Sequence, residues 1–140
     1  MKVIFFDSKT YDKESFTKEL VNYPDVEVKF LKTELTVNTA ELAHGYDAVC
    51  AFVSADICVE TIDILHECGV KFILLRCAGF NNVDMDTAKK YGIKVYRVPG
   101  YSPEAVAEHA MALALAVNRH LHKAYVKVRE NDFSLNGLMG

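Results

Sequence analysis

Short apolar segments alternate with segments of helical periodicity along the first 98 residues of the chain. Residues 26–31 alternate apolar and polar side chains, which predicts an edge strand with one partly exposed face. Residues 48–53 are continuously apolar, which is typical of a strand that is buried on both faces. The predicted strands are 2–6, 26–31, 48–53, 72–75 and 94–98, and the predicted helices between them are 11–21, 39–43, 59–68 and 86–91.

This alternation of strands and helices predicts an α/β fold. Strands that are joined by helices pair in parallel through right-handed crossovers, with helices on both faces of the sheet. Five strands connected in this way predict a flavodoxin-like, doubly wound parallel sheet with the strand order 2-1-3-4-5. Gly69 and Gly92 each follow a predicted helix, where a residue with a left-handed backbone commonly ends the helix.

One long helix is predicted after the fifth strand. Ser102 suits the N-cap position and Pro103 the first helical position, and the helical pattern continues to about residue 128. At 1.5 Å per residue, such a helix is about 39 Å long. Its segment Ala110–Val117 is apolar all round, so we expect protein on more than one side of it. The predicted organisation is a domain over residues 1–101, an interdomain helix over 102–128 and a lead-in to a further domain over 129–140.

The composition excludes several classes of protein. With 51% hydrophobic residues, 25% charged residues and a formal net charge of −3, the chain has no basic surface for nucleic acid or anionic membranes. Its longest apolar run, Ala110–Val117, is far shorter than the roughly 20 residues that span a bilayer. The N-terminus turns acidic at Asp7, too early for a signal peptide, so a cytoplasmic location is expected. The four cysteines include no C-x-x-C pair and are expected to be reduced thiols.

A candidate ligand site follows the fourth and fifth strands, whose carboxyl ends lie at the same edge of a parallel sheet. In the turn Arg76-Cys77-Ala78-Gly79, successive backbone N–H groups can form an anion-binding nest. Alternatively, the glycine serves a turn that needs a positive φ. Tyr101, on the loop before the long helix, either offers its hydroxyl to a ligand or packs over the sheet edge. Asn81, Asn82 and Asp84 are expected to stiffen the loop through Asx-type turns.

Other common functional motifs are absent from the sequence. The seven glycines form no G-x-G-x-x-G and no Walker loop, and there is no G-x-S-x-G. His109, His120 and His122 have no carboxylate or cysteine at ligand spacing, so no metal site is predicted. The residues of this chain also do not form an acid–base set for hydride transfer.

Three stretches together resemble the D-isomer-specific 2-hydroxyacid dehydrogenases: residues 76–84, residues 98–109, and the tail made of Asn118-Arg119 and residues 129–137. That resemblance extends over essentially the whole chain. It implies two flavodoxin- or Rossmann-like domains with the active site in the cleft between them. The chain then corresponds to the substrate-side catalytic domain, the connecting helix and the lead-in to a missing NAD-binding Rossmann domain.

The resemblance also implies roles for individual residues. The N–H groups of Ala78 and Gly79 would bind the carboxylate of a 2-hydroxy or 2-keto acid, Cys77 would line the pocket, and Tyr101 would lean over the substrate. Phe52 would set the pocket size, and an aromatic ring there suits a short substrate such as lactate or pyruvate.

The cofactor implied is NAD, held mainly by the absent domain, with Val106 approaching its nicotinamide end. The arginine and the His–Glu pair that the family's chemistry needs belong to the later part of such proteins. No catalytic residue is therefore assigned in this chain, and the 140 residues alone are expected to be inactive. A homodimer formed through the long helix is expected.

Two alternatives do not involve catalysis. One is a free-standing flavodoxin-like binding or signalling module. Asp7 and Asp56 stand where a receiver domain has acidic residues, but its paired acid and its lysine are lacking, and no glycine loop for FMN phosphate follows the first strand. The other is a structural role through self-association, because Ala110–Leu121 forms an apolar surface.

Overall fold

Five strands of four residues each pair in parallel into one sheet. The computed structural model describes all residues, Met1–Gly140. The elements up to Pro99 are β1 (Lys2–Phe5), α1 (Thr10–Leu20), β2 (Glu27–Phe30), a 3₁₀ helix (Ala40–Ala43), β3 (Ala48–Ala51), α2 (Val59–Glu67), β4 (Phe72–Leu75), α3 (Met85–Lys90) and β5 (Lys94–Arg97). Two helices follow, α4 (Pro103–Asn118) and α5 (Leu121–Arg129). The chain divides into two compact units, Met1–Pro99 and Gly100–Gly140.

The sheet has the order β2-β1-β3-β4-β5, which confirms the predicted flavodoxin-like topology. The register aligns Val3 of β1 with Val28 of β2 and with Ala48 of β3, and Phe72 of β4 with Lys94 of β5. All four residues of β3 are buried, whereas β2 alternates exposed and half-buried residues, as the sequence patterns predict.

Helices cover the sheet on two sides. One face of the sheet contributes residues such as Ile4, Val49 and Ile73 to a core that includes Ile62 and Leu65 of α2. The opposite face contributes Val3, Phe5, Ala48 and Cys50 to a smaller core. Phe16 of α1 meets Phe5 on that face, with ring centroids 5.0 Å apart. The fold is therefore doubly wound.

The helix ends in the first unit follow from local chemistry. Gly69 after α2 has φ +83° and Gly92 after α3 has φ +68°, so both glycines end helices as expected. Asp84 begins α3, because its Oδ1 accepts a hydrogen bond of 2.8 Å from the Thr87 N–H. That contact confirms a structural role for this part of the Asn/Asp-rich loop.

The prediction of one helix over 102–128 is wrong. The helix ends at Asn118, His120 adopts a left-handed backbone with φ +49°, and a second helix starts at Leu121. Asn and His are weak helix formers, so a break at this point costs little. Ser102 does occupy the N-cap position before Pro103, but its side chain makes no capping hydrogen bond.

None of the helices combines the length and the apolar character needed to cross a membrane.

Candidate functional site

In the turn after β4, the three carbonyl groups of residues 77–79 are engaged. The Cys77 carbonyl accepts a hydrogen bond of 3.2 Å from the Val98 N–H, and the Ala78 carbonyl accepts one of 2.9 Å from Nη1 of Arg97. The Gly79 carbonyl accepts a hydrogen bond of 3.3 Å from the thiol of Cys77. The acceptors of this turn are thus taken up by its own neighbours, and its orientation is fixed relative to β5.

Two backbone donors of the same turn are free. Neither the N–H of Ala78 nor that of Gly79 donates a hydrogen bond within the chain. Ala78 is half-buried and Gly79 is exposed, so an incoming group can reach both. Two adjacent free donors, in a turn whose acceptors are occupied, favour a ligand that carries only acceptors, such as a carboxylate.

Gly79 is required neither by its own backbone conformation nor by packing within the chain. Its φ is not positive, unlike that of Gly69 or Gly92. A Cβ added at Gly79 would meet no atom within 4 Å. The alternative that this glycine serves a turn with positive φ is therefore wrong.

Phe52 lies at the end of the neighbouring strand. It directly follows β3, and its carbonyl accepts a hydrogen bond of 3.3 Å from Nδ2 of Asn82. The turn after β4 is joined to β3 by the Arg76 N–H, which donates to the Ala51 carbonyl at 3.0 Å. The fold thus brings Phe52 and Cys77–Gly79 to the same edge of the sheet, at the carboxyl ends of two adjacent strands.

Cys77 is buried, and burial raises the pKa of its thiol. Burial raises the pKa of Cys50 further, to about 12. All four cysteines are free, as expected. The nearby charge of Arg76 favours the thiolate of Cys77, but burial outweighs it. The thiol is thus a neutral group that stabilises the turn through its contact with the Gly79 carbonyl.

Tyr101 and Val106 belong to the second unit. Tyr101 is 70% exposed and its hydroxyl makes no hydrogen bond. Val106, in the first turn of α4, is 67% exposed. Both side chains are available to a ligand, and their assigned roles stay predictions.

An ion pair that the sequence does not predict lies beside this turn. Arg76 Nη1 lies 2.9 Å from Oδ2 of Asp12, and both side chains are largely buried. Asp12 also accepts a hydrogen bond from the N–H of Lys9 at 2.9 Å, in the first turn of α1. The only local signal was a charged residue directly after a buried apolar strand, and that signal does not identify the partner.

The family follows from comparison with known proteins. The family described as D-isomer specific 2-hydroxyacid dehydrogenase, catalytic domain, matches residues 3–131. The chain therefore belongs to the D-isomer specific 2-hydroxyacid dehydrogenase family, which confirms the resemblance drawn from its motifs.

Several similar proteins are D-lactate dehydrogenases. The chain is 46% identical over 140 residues to D-lactate dehydrogenase of Escherichia coli, matching 100% of this chain and 42% of that protein. The apo structure of that enzyme matches with a TM-score of 0.83, over 100% of this chain and 44% of that chain. A 2-hydroxyacid dehydrogenase homolog of Zymomonas mobilis is 49% identical over 140 residues, again 100% of this chain and 42% of that protein.

The structure of D-lactate dehydrogenase from Aquifex aeolicus, complexed with NAD and lactic acid, is also similar. It is 27% identical with a TM-score of 0.75, over 94% of this chain and 38% of that chain. The chain thus spans less than half the length of the relatives it matches.

Proposed function

We propose that the chain is the substrate-side domain of an NAD-dependent D-2-hydroxyacid dehydrogenase that, like D-lactate dehydrogenase, interconverts pyruvate and D-lactate. The observation that carries this proposal is the turn after β4, where the N–H groups of Ala78 and Gly79 are free while the carbonyls of the turn are engaged. A carboxylate accepts hydrogen bonds from both donors, and such charge-assisted bonds are stronger than neutral ones.

The remaining site residues shape the pocket around that carboxylate. Phe52, at the end of β3, limits the length of the substrate's side chain and so favours the methyl group of pyruvate or lactate. Cys77 lines the pocket as a neutral, buried thiol. Tyr101 contributes its uncommitted hydroxyl over the substrate. The relatives named D-lactate dehydrogenase support this choice of substrate.

The proposed cofactor is NAD, with which the similar D-lactate dehydrogenase of Aquifex aeolicus is complexed together with lactic acid. When bound, NADH supplies the hydride for reduction of the keto group. In this chain, only Val106 is assigned to it, and an exposed apolar side chain suits contact with a nicotinamide ring. The chain contains no glycine-rich pyrophosphate loop, so its contribution is to bind and orient the acid.

We further propose that the two helices of the second unit mediate a homodimer. No residue of α4 or α5 is buried within the chain, although α4 carries Met111, Leu113, Leu115 and Val117. A contiguous exposed apolar surface commonly marks a site of protein–protein contact. A second copy brings an identical apolar surface, which a symmetric interface requires.

Binding without turnover tests the proposed function. In the 140-residue chain, we expect pyruvate to shift the amide resonances of Ala78 and Gly79 in nitrogen–proton correlation spectra. Pyruvamide, which lacks the carboxylate charge, is the matched control and should leave them nearly unchanged. The same sample should not oxidise NADH in the presence of pyruvate, because the chain holds no assigned acid–base group.

The binding of pyruvate and the absence of NADH oxidation are contradicted by different outcomes. If pyruvate and pyruvamide act alike, or if neither shifts these amides, the substrate site is wrong. Absorbance loss at the NADH band above the protein-free rate would instead contradict the expected inactivity of the chain.

A further inference from the structure

Arg76 is held by polar contacts to two segments of the chain. Besides its pairing with Asp12, its Nη2 donates hydrogen bonds to the carbonyls of Phe6 at 2.9 Å and Asp7 at 3.2 Å. Its side chain is only 11% exposed, and its Nε is buried without a hydrogen-bond partner. The guanidinium is therefore fixed to the loop after β1 and to the first turn of α1.

The same guanidinium lies against two aromatic rings. Its central carbon is 4.4 Å from the ring centroid of Phe5 and 4.9 Å from that of Phe52. These distances are within the range of a cation–π contact, which is stronger when the cation is withdrawn from water. Phe52 is thus contacted by a planar group whose own position is set by three oxygen atoms.

We propose that Arg76 is a positioning residue that holds the Phe52 ring in place and thereby sets the side-chain size of the 2-keto acid that the site accepts. This inference rests on the proposed function, in which Phe52 limits the substrate's side chain. Arg76 itself is not expected to touch the substrate. It links the loops after β1, β3 and β4, because it also begins the turn that carries the two free N–H groups.

Lysine cannot replace arginine in this role. An ammonium group carries the same charge, but it is not planar and cannot lie along a ring while it reaches a carboxylate and two carbonyls. The variant Arg76→Lys therefore keeps the buried charge opposite Asp12 and removes the fixed contact with Phe52. Selectivity should change more than overall binding does.

The test compares pyruvate with 2-oxoisocaproate, whose branched side chain is larger, by amide-shift titration of the full 140-residue chain. The unsubstituted chain should prefer pyruvate by about tenfold or more, the lower end of what a pocket achieves against a misfitting methylene. In Arg76→Lys, this preference should fall to about threefold or less, and the Phe52 ring resonances of the ligand-free chain should shift.

Two further variants make the result decisive. Phe52→Leu by itself should lower the preference for pyruvate over 2-oxoisocaproate as much as Arg76→Lys does. Combining the two substitutions should lower this preference no further, because the two residues act as one unit. If Arg76→Lys does not fold, the double variant Arg76→Met/Asp12→Leu replaces the buried pair by apolar groups and takes its place, with the same loss of preference expected.

The inference is overturned if the preference and the Phe52 ring resonances of Arg76→Lys match those of the unsubstituted chain. It is also overturned if the effects of the substitutions at Arg76 and Phe52 simply add. A failure of the unsubstituted chain to bind pyruvate at Ala78 and Gly79 would instead refute the proposed function on which the inference rests.

Discussion

At the residue scale, the glycines of this chain differ in whether the fold requires them. Gly69 and Gly92 have positive φ and end helices, which is a requirement of the fold. Gly79 has neither a positive φ nor a neighbour that would clash with a Cβ. The N–H groups of Gly79 and of Ala78 are both free, and the absence of a side chain at Gly79 leaves room for the carboxylate of the proposed function.

Replacing Gly79 by alanine should therefore separate binding from stability. We expect Gly79→Ala to leave the thermal unfolding midpoint of the chain nearly unchanged. Pyruvate binding should weaken by about tenfold or more, because the new methyl group displaces the carboxylate from a charge-assisted hydrogen bond worth about 1.5–3 kcal/mol. Amide-shift titration and thermal unfolding measure the two effects.

Gly92→Ala is the matched control for that experiment. At φ +68°, an alanine there should cost about 1–2 kcal/mol of stability and leave pyruvate binding unchanged. The reverse pattern, a destabilised Gly79→Ala with normal binding, would show that Gly79 is structural.

At the scale of elements, the segment after α5 is organised by one lysine. Nζ of Lys127 lies 2.8 Å from Oδ2 of Asp132 and donates hydrogen bonds to Oγ of Ser134 at 2.9 Å and to the Asn136 carbonyl at 3.2 Å. The Asp132 N–H donates to the Lys127 carbonyl at 2.9 Å. A segment without regular secondary structure thus turns back on the last helix.

This arrangement predicts the titration of Asp132. The hydrogen bond from Lys127 and those from Ser134 lower the pKa of the Asp132 carboxyl from 3.8 to about 2. Because the folded pKa is the lower one, the stabilising contribution is complete above about pH 4 and is lost as the pH falls toward 2. Carboxyl-carbon NMR should show a midpoint near pH 2 in the chain.

Lys127→Met should raise the Asp132 midpoint from about 2 toward 3.8 without reaching it, because the hydrogen bonds from Ser134 remain. Lys123→Met removes a lysine of the same helix that has no ion pair, and it should leave the midpoint near 2. Equal midpoints in the two variants would rule out Lys127 as the cause.

At the scale of the whole molecule, the second unit exposes its apolar helix surface. We expect the chain to self-associate as its concentration rises, because Met111 and Leu115 are 62% and 56% exposed and lie on the same side of α4. Light scattering coupled to size exclusion should show a mass that increases with concentration.

Charges on that surface should prevent association. The double variant Met111→Lys/Leu115→Lys should elute as a monomer at concentrations where the unsubstituted chain associates. Val21→Lys is the control, since Val21 is 81% exposed in the other unit, and it should behave as the unsubstituted chain. A monomer at every concentration would contradict the homodimer proposed through these helices.

The sequence by itself determined the sheet. Residues 26–31 alternate apolar and polar side chains, whereas residues 48–53 are continuously apolar, and this difference distinguishes an edge strand from a buried one. The right-handed crossover rule then leaves few possible strand orders. The residues Arg76–Gly79 likewise predicted a turn at the carboxyl end of β4, where the structure has it. Each of these inferences depends on residues that are close in sequence, where the pattern reports the structure directly.

Only the tertiary structure decided which groups of the site are free and which are engaged. Arg76 and Asp12 are separated by 64 positions, and no local pattern pairs them. The folded chain alone also shows that the carbonyls of the turn are engaged while the N–H groups of Ala78 and Gly79 are free. It likewise shows that the φ of Gly79 is not positive. The physical reason is that hydrogen bonds and ion pairs between residues distant in sequence form only when packing brings the groups together. The local sequence around one partner does not indicate the other.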